Sequence, residues 1–67
     1  MSVARVTEIS ATSTKSFDDA VRQGIKRADK TLRKIKGAWV KEQKVTVSDG
    51  EVKEFVVNLM VTFELDD

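Results

Sequence analysis

The segment VKEFVVNLMVTFEL, residues 52–65, constrains the fold more than any other part of the chain. Its odd positions, Phe55, Val57, Leu59, Val61, Phe63 and Leu65, are apolar without exception, while Val56, Asn58, Met60, Thr62 and Glu64 form a mixed set. Successive side chains of a strand point to opposite faces. The odd set therefore predicts a core face, and a one-residue slip would turn all of it to water. Something apolar must lie against it. The stretch STKSFDDAVRQGIKRADKTLRKIKG supplies that partner, with Phe17, Val21, Gly24, Ala28, Leu32 and Ile35 at helical spacing and Ala20 and Ile25 widening the stripe. Ser16 is an N-cap that can accept a free first-turn N–H, and Asp19 stands where a capping box has its acidic partner. Asp18 and Asp19 lie in the first turn and Arg33, Lys34 and Lys36 in the last, the polarity that the helix dipole favours. Gly37 fits the left-handed residue after a helix. One amphipathic helix over residues 17–36 is predicted.

A β-branched segment, residues 3–11, reads as a first strand. Its alternation is imperfect, so its buried face is not readable from it alone. After Gly37 two strands are joined by SDGE, in which Asp49-Gly50 signals a two-residue type I′ turn. That turn makes Ser48 face Glu51, and hence Trp39 face Met60, Lys41 face Asn58 and Gln43 face Val56. Ala38 and Val40 then point toward the helix beside Val61 and Leu59, and Trp39 lies on the opposite sheet face. Val45 and Val47, however, share the parity of Trp39. A β-bulge between Glu42 and Lys44 would turn Trp39 to the other face. The expected architecture is α+β, a single β-α-β-β domain over residues 1–67 with a three-stranded antiparallel sheet on one helix.

One helix can cover one face of such a sheet. The other face would carry Trp39, Val56 and Met60 among Gln43, Asn58 and Thr62, an exposed patch unusual in a monomer. A domain of 67 residues buries only about 60% of its unfolded surface and needs further support. There is no cysteine for disulfides and no histidine for the common zinc sites. Self-association is the expected solution, in a closed symmetric assembly. The net charge of +1 gives no general attraction to nucleic acid or membranes. No apolar run approaches the roughly 18 residues of a membrane span, and the N-terminus lacks the apolar core of a signal peptide. The lack of cysteine fits a cytoplasmic location.

The opening strand running into SATSTKSFDDAV, the helix ending RADKTLRKIKG, the strand AWVKEQKVTV and the closing EFVVNLMVTFELDD together resemble the dodecins. The likeness covers nearly the whole chain. It implies a sheet curled around the helix, a hollow homododecamer and a small-ligand storage role, with FMN or riboflavin as ligand. In the flavin-binding members a tryptophan at the start of the second strand stacks on the isoalloxazine and a glutamine on the third bonds to its edge. Aligned without gaps back from FELDD, those positions fall on Gly37 and Val56. Trp39 is displaced by two residues, about 6–7 Å along a strand. An acidic position further along the second strand is matched by Glu42. Other dodecin-like proteins lack the flavin tryptophan and are associated with metal ions such as calcium, and the VKEQ region is similar to theirs.

Two readings of the open face follow. Trp39 is either a platform for a planar ligand, whose polar edge Gln43 or Asn58 would bond beside Gly37, Val56 and Met60, or an anchor against a neighbouring subunit. Glu42, with Glu64, Asp66 and Asp67, offers the oxygen ligands that calcium or magnesium takes, although no linear metal motif is present and surface ion pairing is the plainer role. From Arg22 to Lys36 seven basic residues stand against Asp29 alone. Without aromatic interleaving this reads as a solvated helix face and only remotely as a nucleic-acid surface. With no histidine, cysteine or tyrosine and no nucleophile or phosphate-loop motif, the chain is not expected to be an enzyme.

Overall fold

A computed structural model of the chain describes residues 2–65. It runs β1 (Ala4–Ser13), α1 (Phe17–Ala28), β2 (Ile35–Ser48) and β3 (Glu51–Glu64). The sheet is antiparallel with order β1-β3-β2, so the strand with the strict alternation is the central one. Val57, Leu59 and Val61 are fully buried against Ala20, with Ile9, Ala11, Val21, Ile25, Leu32 and Ile35 packed around them. Burying each of the three β3 side chains contributes about 1.5–3 kcal/mol. Phe17 and Phe55 close one end of this core edge to face, 5.1 Å between ring centroids and 78° between planes.

The start of α1 is set by local chemistry. Ser16 has extended backbone and its side chain accepts the Asp19 N–H at 2.9 Å. Asp19 does not complete the capping box on Ser16. Its carboxylate instead accepts from the buried Ser13 hydroxyl at 2.6 Å, and Ser13 Oγ accepts the N–H groups of Lys15 and Ser16. Strand end and helix start are thereby tied by one hydroxyl.

The helix ends at Ala28, eight residues short of the predicted limit of Lys36. Asp29 and Thr31 are weak helix formers, and Asp29 opposes the dipole at this end. The larger cause is long-range: Ile35 pairs with Phe63, which starts β2 where the helix would have continued. The Thr31 and Leu32 N–H groups both fall on the Ala28 carbonyl, at 3.0 and 2.8 Å, winding the chain out in a tight turn. Leu32 and Ile35 still reach the core, from that turn and from a strand. The left-handed residue is Lys34, at φ 57, and not Gly37, which is an ordinary strand position.

The Asp49-Gly50 turn is as predicted, with φ of 51 and 75, positive at both central residues as type I′ requires. The β2–β3 ladder then departs from simple register three times. In each case one residue is left over: Lys36 and Lys41 on β2, and Lys53 on β3. The Lys53 and Lys41 bulges cancel. Trp39 therefore faces Met60, and Ala38 and Val40 face Val61 and Leu59, as expected from the turn. Between the bulges the pairing is shifted by one, giving Glu42 opposite Asn58, Gln43 opposite Val57 and Lys44 opposite Val56. A bulge is thus present at Lys41, just outside the Glu42 to Lys44 stretch where one would have turned Trp39 over, and Trp39 stays on the face that the turn register predicts.

Helix α1 packs on β1 and β3. β2 after Ile35 is exposed along its whole length, so Val40 points to the helix side of the sheet without being covered by it. The subunit is elongated, 51 × 19 × 14 Å.

Candidate functional site: the open sheet face

The face turned away from α1 is built from the even positions of β3 and their neighbours. Along β1, Val6, Glu8, Ser10 and Thr12 stand opposite Thr62, Met60, Asn58 and Val56. Along β2 the corresponding partners are Gly37, Trp39, Glu42 and Lys44. The central row is Glu8, Met60, Trp39. Trp39 is 52% exposed, and its indole lies beside a half-buried methionine, a soft apolar neighbour for an aromatic ring.

A polar group adjoins this row. Glu8 accepts from Asn58 Nδ2 at 3.1 Å through one carboxylate oxygen and from Lys41 Nζ at 3.3 Å through the other. Lys41 reaches it across β3 because, as the bulged residue, it is released from pairing. These bonds hold the Glu8 carboxyl below its ordinary value: first the Asn58 hydrogen bond, then the Lys41 hydrogen bond and charge. The open face therefore pairs an apolar strip, Trp39 and Met60, with a fixed carboxylate, an amide and an ammonium.

The sequence-derived candidates fall as follows. Trp39, Met60 and Asn58 are brought together. Gly37 lies two residues from Trp39, opposite Thr62, and a side chain added there would meet nothing within 4 Å. Val56 is on the same face but 8% exposed, flanked in register by Thr12 and Lys44. Gln43 is not part of this face as expected. The Lys41 bulge turns it to the helix side opposite Val57, and Lys44 takes its place beside Val56. Glu42 is on the open face opposite Asn58, with β3 between it and β1. Glu64 is engaged by Lys36 at 3.3 Å, and Asp66 and Asp67 lie outside the described residues. Among the described residues no group of three acidic, histidine or cysteine side chains gathers to hold a metal. Arg22, within the basic run, pairs with Asp18 at 2.9 Å.

Glu8 was not expected here, and Lys41, expected directly opposite Asn58, gives that place to Glu42 and reaches Glu8 from the bulge. The missing signal was the face of β1. Val6 points to the open side and Thr7 to the core side, which inverts the usual apolar pattern in that half of the strand.

The dodecin family profile matches residues 3–66. The chain is 35% identical over 65 residues to the dodecin of Thermus thermophilus, an alignment spanning 97% of this chain and 94% of that protein. Its fold superposes on the dodecin from Streptomyces davaonensis with a TM-score of 0.94 at 36% identity, covering 98% of this chain and 97% of the other. A calcium dodecin from Mycobacterium tuberculosis, described as calcium chelating with a novel calcium-binding site, superposes with a TM-score of 0.82 at 29% identity, over 96% and 91% of the two chains. With family, sequence and fold in agreement over nearly its full length, the chain belongs to the dodecin family.

Proposed function

We propose that the chain is a subunit of a homododecameric shell that binds and stores a small planar ligand on its open sheet face. The observation that carries this reading is the half-exposed Trp39 beside Met60, next to the Glu8, Asn58 and Lys41 group. Covering the exposed half of an indole of roughly 200 Å², at about 25 cal/mol/Å², contributes on the order of 2–3 kcal/mol. The polar group fixes orientation at the edge of such a ligand, the division of labour usual in small-molecule sites. Flavin, as FMN or riboflavin, is the ligand class that family membership favours. The role is binding rather than catalysis, since the chain has no histidine, cysteine or tyrosine. Among the described residues no helix is long and apolar enough to cross a membrane, and a cysteine-free chain suits the cytoplasm.

A second reading is supported by Gly37, which puts no ring where flavin-binding dodecins carry theirs, and by the likeness to the calcium dodecin. Here the shell binds calcium or magnesium, with Glu42 as a ligand supplemented by other subunits. Titration with riboflavin and FMN, read by flavin quenching, separates the two. Quenching at micromolar ligand with about one flavin per subunit supports the first. No quenching, with a melting temperature that falls on chelation and returns with calcium, supports the second.

A further inference from the structure

Around the Lys41 bulge, three neighbouring residues of β2 serve the open face. Trp39 stands opposite Met60, Glu42 stands opposite Asn58, and Lys41 between them reaches Glu8 at 3.3 Å. Lys41 and Glu8 thereby neutralise each other. Glu42 is exposed and, among the described residues, makes no hydrogen bond or ion pair. Lys44, the next residue of β2 on this face, stands opposite Val56 and does not pair with it. A carboxylate without a counter-charge is thus set beside the half-exposed indole.

The amide of Asn58 adds a further acceptor. An ionised carboxylate can only accept, so the bond of Asn58 Nδ2 to Glu8 at 3.1 Å fixes which end of the amide faces β1. Asn58 Oδ1 is then left without a partner among the described residues. Lys41, the cation closest to this row, has its ammonium drawn to the β1 side by Glu8. The polar edge along Trp39 and Met60 therefore offers unused acceptors: the carboxylate oxygens of Glu42 and the amide oxygen of Asn58.

We propose that this face takes a flat heterocycle through an edge carrying two adjacent N–H groups, the 2-amino-4-oxopyrimidine edge shared by pterins and guanine. The ring covers Trp39 and Met60. Its ring N–H and its exocyclic amino group donate side by side to the Glu42 carboxylate, the parallel two-bond geometry that makes such pairs strong. The second amino hydrogen is available to Asn58 Oδ1. A flavin edge instead has one N–H between two carbonyls, and those carbonyls would meet carboxylate oxygens with no hydrogen between them. Leaving polar groups unpaired in this way is what rejects a near-isosteric ligand. The inference rests on the planar-ligand reading above and names the chemical class of the ligand, ranking this edge above that of a flavin.

Pterin and lumazine form a matched pair for the test. They share one ring system, and lumazine carries a carbonyl where pterin has its amino group, so it presents the flavin-type edge. Trp39 is the only tryptophan of the chain. Quenching of its emission, at slightly acid pH where both rings are neutral, gives the two affinities. Pterin is expected to bind the wild-type protein more tightly, on the order of tenfold or more. Glu42→Gln, which puts a donor in place of one acceptor on an exposed side chain, is expected to abolish that preference with circular dichroism unchanged. Lumazine binding as tightly as pterin, or a pterin preference that survives in Glu42→Gln, overturns the edge assignment and leaves the planar-ligand reading standing. No quenching by pterin, lumazine or riboflavin overturns the planar-ligand reading itself, and this inference with it.

Discussion

Lys41 stands unpaired in β2, and its ammonium lies 3.3 Å from Glu8 on the far edge strand, spanning β3 between them. The bulge thus does two things at once. It keeps Trp39 on the open face while shifting Gln43 off it, and it brings a cation to a carboxylate that Asn58 already holds. The polar part of the candidate site depends on an irregularity in the ladder rather than on any linear motif.

Glu8 should titrate below its ordinary value of 4.5, by reason of its bonds to Asn58 and Lys41. A depressed folded-state pKa contributes stability that is fully present above the unfolded value and is lost as pH falls through the folded one. The window is therefore acidic, beginning at about 4.5 and extending below it. The Glu8 carboxyl carbon shift, followed by NMR against pH, gives the midpoint. In Lys41→Met the midpoint should move up toward 4.5. An unchanged midpoint would show that the ion pair does not form in solution.

Trp39→Ala should separate folding from binding. The residue is half-exposed and pairs across strands with Met60, so its removal costs the subunit only about 0.2–1 kcal/mol. Ligand affinity should fall much further, on the order of tenfold to a hundredfold if the indole covers a bound ring. Urea unfolding and riboflavin titration on the same variant supply both numbers. Equal, small effects on each would mean that no ligand rests on this indole.

Gly24→Ala tests how closely the helix approaches the sheet. A Cβ built on Gly24 would lie 2.9 Å from the Ala11 Cβ and 3.3 Å from Leu59 Cδ1. Helix propensity favours alanine by about 1 kcal/mol, but overpacking at such a contact costs about 1–3 kcal/mol. Net destabilisation is expected, read as a lower urea midpoint at matched protein concentration. A more stable variant would mean that α1 can move off β1 freely.

Much of this fold was legible from the chain, and the failures have physical causes. The alternation of β3 located the core because its odd positions have no exception, and Asp49-Gly50 fixed the hairpin because both residues tolerate positive φ. Ser16 marked the helix start through its own side-chain bond. The helix end was hidden, since Leu32 and Ile35 continue a helical stripe and also suit a turn and strand packed on the same core. Only the pairing of Ile35 with Phe63, a contact far apart in sequence, decides between them. The bulges were half legible. Val45 and Val47 announced a change of face, but the compensating bulge at Lys53 carries no apolar signature, so Gln43 was placed on the wrong side. Glu8 was missed because Val6 and Thr7 invert the pattern of β1.

Gly37→Trp is the most direct test of which ligand the open face accepts. Position 37 is a strand residue opposite Thr62, on the same face as Trp39, with no atom within 4 Å of an added Cβ. The first atom of a side chain there meets nothing within the subunit, and leaving glycine in a strand interior costs about 0.5–1 kcal/mol that the substitution recovers. Stacking beyond area burial is worth about 0.5–1.5 kcal/mol, so riboflavin affinity should rise on the order of tenfold. The outcome also ranks the two tryptophan positions. If Gly37→Trp gains affinity and Trp39→Ala in that background does not lose it, the ligand site is centred on position 37 and Trp39 serves the subunit contact. If Gly37→Trp gains nothing, the face is not organised for a flavin, and the ion-binding reading built on Glu42 takes its place.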